Sequence, residues 1–153
     1  MNKLLFFFLF FYLHVASVYS DIIKPNTKIE PYNVVEIQLI SLKNNDKPDK
    51  DFGIEQTWEF AHPENKMNTG PLNNFKKMLK NEIYSILLNH KDHKIEEIYN
   101  NKKIAIYDVI ILGSDNFYYE FKWQVERYDG KGSLNNCWLT TAVSNPVSLG
   151  ASI

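Results

Sequence analysis

The clearest pattern in the chain is a strict alternation in its C-terminal third. Phe117, Tyr119, Phe121, Trp123 and Val125 alternate with Tyr118, Glu120, Lys122, Gln124 and Glu126. An apolar residue at every second position marks a half-buried strand, because successive side chains point to opposite faces. Lys103 to Leu112 predicts a second strand, joined to the first through the turn Gly113-Ser114-Asp115-Asn116. Lys94 to Tyr99 predicts a strand before these, turned by Asn100-Asn101. Asn136 to Val143 predicts one after them, reached through the flexible turn Asp129-Gly130-Lys131-Gly132-Ser133. Ser144 to Ile153 carries weak signals and reads as a tail.

Upstream the period changes. Tyr32 to Leu42 predicts a helix whose core line is Val35, Leu39 and Leu42, with Val34 and Ile37 beside it. Lys43 to Lys50 reads as a solvated loop. Gly53 to Ala61 predicts a short amphipathic helix, with Ile54, Trp58 and Ala61 on one face and Phe60 widening it. Asp51 is placed to cap its start. Pro63 ends it, because the residue before a proline is pushed out of the α region, so His62 falls at its C-terminal end. Pro63 to Asn68 reads as a polar turn. Thr69 then caps a third helix, with Pro71 in its first turn, running to about Lys80 with Leu72, Phe75, Met78 and Leu79 as its stripe. Asn81 to Leu88 reads as a further helical turn, and His90, Asp92 and His93 fall in a polar loop. Helices followed by antiparallel strands predict an α+β domain over residues 32–144, with a curved sheet wrapping the helices. Residues 21–31 form an extended lead-in.

Composition narrows the setting. In 153 residues, 44% of them hydrophobic, one domain is the natural count. A net charge of −1 gives no pull toward nucleic acid or anionic membrane. Met1 to Ser20 reads as a secretory signal peptide, with Lys3 in the n-region, Leu4 to Leu13 as the apolar run, and Val18 and Ser20 as the small residues before cleavage at Asp21. That run is about 10–15 residues, short of the roughly 20 that span a bilayer. No stable membrane insertion is therefore expected once the segment is cleaved. Cys137 is the sole cysteine, so no intrachain disulfide forms.

Candidate chemistry is sparse. No phosphate loop, dinucleotide turn, paired-cysteine metal site or H-E-x-x-H run is present, so neither a cofactor nor a metal is expected. His90-Lys91-Asp92-His93 offers two imidazoles without thiolates and reads as a solvated loop. Cys137 alternates with Leu139 and Val143 as a small core residue does. His62 admits two readings. It is either a general acid or base, working with Glu55 or Glu59 on the preceding helix, or a structural group whose ring bonds the carbonyls left open at the helix end.

The run Gly53-Ile54…Trp58-Glu59-Phe60-Ala61-His62-Pro63…Thr69-Gly70-Pro71-Leu72, followed by Phe75 and Met78, resembles an uncharacterised family of bacteria and photosynthetic organisms. That family is similar to the cone of nuclear transport factor 2 and SnoaL-type proteins. The resemblance spans roughly Tyr32 to Val143 and includes Cys137-Trp138-Leu139-Thr140, after which the family carries an acidic residue where Thr141 stands here. It implies a fold and no activity. In such a cone a ligand sits between sheet and helices, which makes Trp58, Tyr107, Trp123 and Trp138 candidate lining residues, with Asn65 and Thr69 at the corner. The expectation is a non-catalytic module binding a small ligand or a protein, with the His62 enzyme as the alternative and a homodimer through the open sheet face as a further possibility. Secretion is the expected route; a plastid reached through that route is the alternative, consistent with the lone cysteine and with the resemblance.

Overall fold

The computed structural model describes residues 21–151. The segment read as a signal peptide lies outside them. Helix α1 (Pro31–Lys43) comes first, followed by α2 (Phe52–Glu59), α3 (Pro63–Thr69) and α4 (Leu72–Leu79), then a 3-10 turn at Ser85–Leu87. Five strands complete the chain: β1 (Asp92–Asn100), β2 (Ile104–Leu112), β3 (Phe117–Arg127), β4 (Trp138–Val143) and β5 (Val147–Ala151). They build one antiparallel sheet in the order β1-β2-β3-β4, with β5 also paired to β3. The molecule is thus α+β, with its helices N-terminal to a curved antiparallel sheet.

Register follows the alternation. Tyr107 stands opposite Trp123, Val109 opposite Phe121 and Ala105 opposite Val125, and all six are buried. Their neighbours on the other face include the Asp108 and Lys122 pair, bonded at 2.7 Å. A one-residue slip would exchange these faces, so burial fixes the pairing. Helix α1 lies across β1, β3 and β4, and its Val34, Val35, Leu39 and Leu42 are fully buried. Each such side chain contributes about 1.5–3 kcal/mol relative to an exposed one.

Helices α1 and α2 cross closely because of Gly53. A Cβ at that position would fall inside the backbone carbonyl of Ser41 and crowd Asn45 Cα. The loop between them is more than solvated chain. Asn45 is buried, with its Oδ1 accepting from the Ile54 amide at 3.1 Å and its own carbonyl from the Gly53 amide at 2.9 Å.

Several expectations are corrected or sharpened. Asp51 does not cap α2: it sits in the left-handed region (φ 67°) without a side-chain cap bond. Its carboxylate instead meets Lys80 at 2.7 Å, and that ammonium is the main cause of a carboxyl held below its usual range. Pro63 to Thr69 is a helix, not a polar turn, and Thr69 ends it instead of capping the next one, for which Pro71 holds the N-cap position. Asn81 to Leu88 contains only the 3-10 turn. The tail is a strand, β5, whose residues Val147 and Ser148 pair with Glu120 and Tyr119. The lead-in is tied down: Gln56 accepts from the Ile23 amide at 2.7 Å and donates to the Ile23 carbonyl at 2.8 Å.

Candidate functional site

A cavity of about 270 Å³ lies between the helices and the sheet. Its deep end is built from buried residues: Gln38, Leu42 and Thr57 from α1 and α2, Trp123 from β3, Thr140 from β4, and Leu87. Phe75 and Leu79 of α4 and Trp58 of α2 wall it, with the Trp58 and Phe75 rings 5.0 Å apart. Toward solvent it is edged by Asn65, Thr69, Met78, Tyr84, Thr141 and Ala142, none of which is fully buried.

The deep end carries one polar network. Gln38 Oε1 accepts from Thr140 Oγ1 at 2.6 Å and from Trp123 Nε1 at 3.1 Å. Gln38 Nε2 donates to the Thr57 carbonyl at 3.1 Å. Thr57 Oγ1 in turn donates to the Gly53 carbonyl at 2.8 Å. Buried polar groups need such partners, since each one left unpaired costs about 1–3 kcal/mol. The network therefore joins four elements, α1, α2, β3 and β4, around the cavity without charge.

Thr140 also ties the α2–α3 corner to the sheet. Its amide donates to the Phe60 carbonyl at 2.8 Å, and its carbonyl accepts from the His62 amide at 2.9 Å. Ala61 and Thr140 thereby form a parallel bridge. Asn65 adds a second fastening, its Nδ2 donating to the carbonyls of Thr140 at 3.1 Å and Thr141 at 2.8 Å. The Pro-containing corner thus extends the sheet beyond β4.

His62 is not at a helix C-terminus. It is the N-cap of α3, and its Nδ1 accepts from the Glu64 amide at 3.2 Å. In this geometry Nδ1 is the ring's acceptor nitrogen. The ring meets Tyr128 edge-on at 5.4 Å. Neither proposed carboxylate partner is bonded to it: Glu55 pairs with Lys76 at 2.7 Å and Glu59 with Lys24 at 2.9 Å. The group closing the end of α2 is Lys66, whose Nζ donates to the Glu59 carbonyl at 3.2 Å. A cation suits that negative helix end, and burial pushes its ammonium pKa down.

Of the residues read as candidate ligand contacts, Trp58, Asn65, Thr69 and Trp123 come together at the cavity, whereas Tyr107 and Trp138 do not line it. Tyr107 packs edge-on against Tyr32 at 6.1 Å. Burial first, then nearby Glu97, pushes its phenol well above the usual range. Trp138 lies two residues before Thr140, roughly 7 Å along the strand, with the Arg127 guanidinium over its ring at 5.4 Å. Cys137 is buried, which raises its thiol pKa and suits a core role. Gln38, Thr140 and Tyr84 were missed. Gln38 had a legible signal: it falls one turn from both Val34 and Leu42, on the apolar stripe where a polar residue demands a partner.

The lining contains no Asp, Glu, Lys, Arg, His or Cys, and its one ionisable side chain is the Tyr84 phenol. Among the described residues, no group of three or more His, Cys, Asp or Glu is placed to hold a metal ion, and no helix is long and apolar enough to cross a membrane. His90 and His93 are joined by a 2.8 Å ring–ring hydrogen bond. They belong to the core edge and to β1, not to a solvated loop. Comparison with family models, with curated proteins and with solved structures finds no match to this chain.

Proposed function

We propose that this protein is a non-catalytic binding module whose cavity takes a small, uncharged, mostly apolar molecule. The observation that carries the reading is the lining: aromatic and aliphatic walls, a neutral hydrogen-bond network at the deep end, and no carboxylate, imidazole, ammonium, guanidinium or thiol among its residues. An acyl-transfer or acid–base site requires such groups within hydrogen-bond reach of a bound molecule. The volume of about 270 Å³ is near the lower end for small-molecule sites, about 300–1,000 Å³. Burying a charged guest there would leave the charge without a partner, which is costly. The cavity between helices and concave sheet also fits our reading of the fold as a cone of the nuclear transport factor 2 type. We read the segment before Asp21 as a leader, and on that reading the protein meets its guest after entering the secretory route.

Trp58 and Trp123 line the cavity, so their fluorescence reports occupancy directly. Naphthalene is expected to bind with a saturable fluorescence change, and 2-naphthoate, its charged relative, at least tenfold more weakly. Ala142→Phe, at the exposed rim, is expected to obstruct entry while leaving the melting temperature within a few degrees. Absence of binding by any neutral aromatic probe in calorimetry would overturn the reading.

A further inference from the structure

We infer that the guest presents a hydrogen-bond donor, such as a hydroxyl or an amide N–H, to Asn65 at the cavity mouth. The inference rests on the cavity reading above and adds the chemical class of the polar end. An asparagine amide ordinarily has an ambiguous orientation, but here the choice is forced. Its nitrogen lies 3.1 Å and 2.8 Å from two backbone carbonyl oxygens, those of Thr140 and Thr141, and only the NH₂ group can satisfy both. Both amide protons are thereby committed. The Oδ1 atom is left pointing elsewhere, accepts from no donor among the described residues, and is not sealed from solvent.

Asn65 lines the cavity, as does Thr69 one turn later on α3, and residues four apart share a helix face. The fixed group at the mouth is therefore an acceptor. The Thr69 hydroxyl rotates and adapts to either polarity, while the Tyr84 hydroxyl is engaged by the Val143 carbonyl at 3.3 Å and Asn145 Oδ1 at 3.4 Å. At the deep end Gln38 Oε1 already accepts two hydrogen bonds, so it holds no place for a ligand donor. A guest thus enters with its apolar body toward Trp58, Phe75 and Trp123 and its donor outward, against Asn65.

The test compares three neutral probes of nearly one shape: naphthalene, 2-methoxynaphthalene and 2-naphthol. A single neutral hydrogen bond corresponds to roughly a fivefold affinity gain. The expected result is 2-naphthol binding about fivefold more tightly than either relative. Asn65→Ala is expected to erase the preference, read as a ratio of affinities and hence independent of any general loosening of α3. Equal affinity for 2-naphthol and 2-methoxynaphthalene would overturn the donor assignment while leaving the cavity reading intact. If none of the three binds, both fall together.

Discussion

At the scale of single residues, Gln38 and His90 show how a buried polar group is made tolerable. Gln38 is 1% exposed and serves Trp123, Thr140 and Thr57 at once. Gln38→Leu keeps the apolar volume but strands the Thr140 hydroxyl proton, leaves the Trp123 indole N–H only a long 3.4 Å contact to Thr140 Oγ1, and leaves the Thr57 carbonyl with the Phe60 amide alone. With an unpaired buried group costing about 1–3 kcal/mol, a loss of roughly 1–3 kcal/mol is expected in urea unfolding. His90 is 2% exposed, and its Nδ1 lies 2.7 Å from the Leu87 carbonyl. That contact requires a proton on Nδ1, so Nε2 must accept from His93 Nδ1. A second proton on His90 would set two donors against each other. Its pKa falls to about 4, through burial first, with the charges of His93 and Lys43 adding and the Leu87 carbonyl and Asp92 opposing. The unfolded imidazole titrates near 6.5, so between about pH 6.5 and 4 the unfolded chain holds the extra proton. Stability from this group is full above pH 6.5 and declines by about 1.4 kcal/mol per pH unit as pH falls through that window. Melting temperatures across that range should show the decline, and His90→Gln, which keeps a donor and an acceptor without a titrating proton, should flatten it. His93, depressed chiefly by burial as well, leaves a residual slope of the same sign.

Among the elements, the α1–α2 crossing sets two effects against each other at Gly53. Replacing glycine by alanine inside a helix ordinarily stabilises by roughly 0.5–1 kcal/mol. Here the new methyl would overlap the Ser41 carbonyl, a backbone atom that cannot rotate away. Overpacking of this kind costs about 1–3 kcal/mol or more, so Gly53→Ala should be net destabilising, as chemical denaturation would show. The long elements were legible because burial imposes a period on them: β2, β3, α1 and the apolar stripe of α4 all follow theirs. Helix α3 has no buried residue, so no stripe could announce it. Its only signal was His62-Pro63-Glu64, a capping side chain, a proline at the first position and an acid beside it. Strand β5 escaped for the same reason, with Val147, Ser148 and Leu149 exposed. The candidate site was half legible: aromatic spacing found Trp58 and Trp123, whereas Tyr107, one strand across from Trp123, and Trp138, two residues before Thr140 on β4, fall outside the lining.

For the molecule as a whole, the lead-in matters more than its sequence suggests. Gln56, itself 2% exposed, holds Ile23 through two hydrogen bonds, and Lys24 pairs with Glu59 at 2.9 Å. The ion pair is largely solvated and adds little. The hydrogen bonds matter more, because Gln56 would otherwise be left with a buried amide unmatched. A chain starting at Pro25 should therefore be less stable than one starting at Asp21 by about 1–3 kcal/mol. Melting curves of the two proteins would check this. The fold class came from the order of helices and strands; the tethering of the lead-in could not, since it depends on one glutamine meeting one backbone unit across the molecule.

Thr140 lines the cavity, and its carbonyl holds the amide of His62 at the corner. Whatever stiffens that strand stiffens the peptide unit hydrogen-bonded to it. Deuterium uptake at the His62 amide therefore becomes an occupancy gauge readable by mass spectrometry: a guest lodged against Thr140 should slow the isotope swap at a site it never touches, even when the guest is spectroscopically silent.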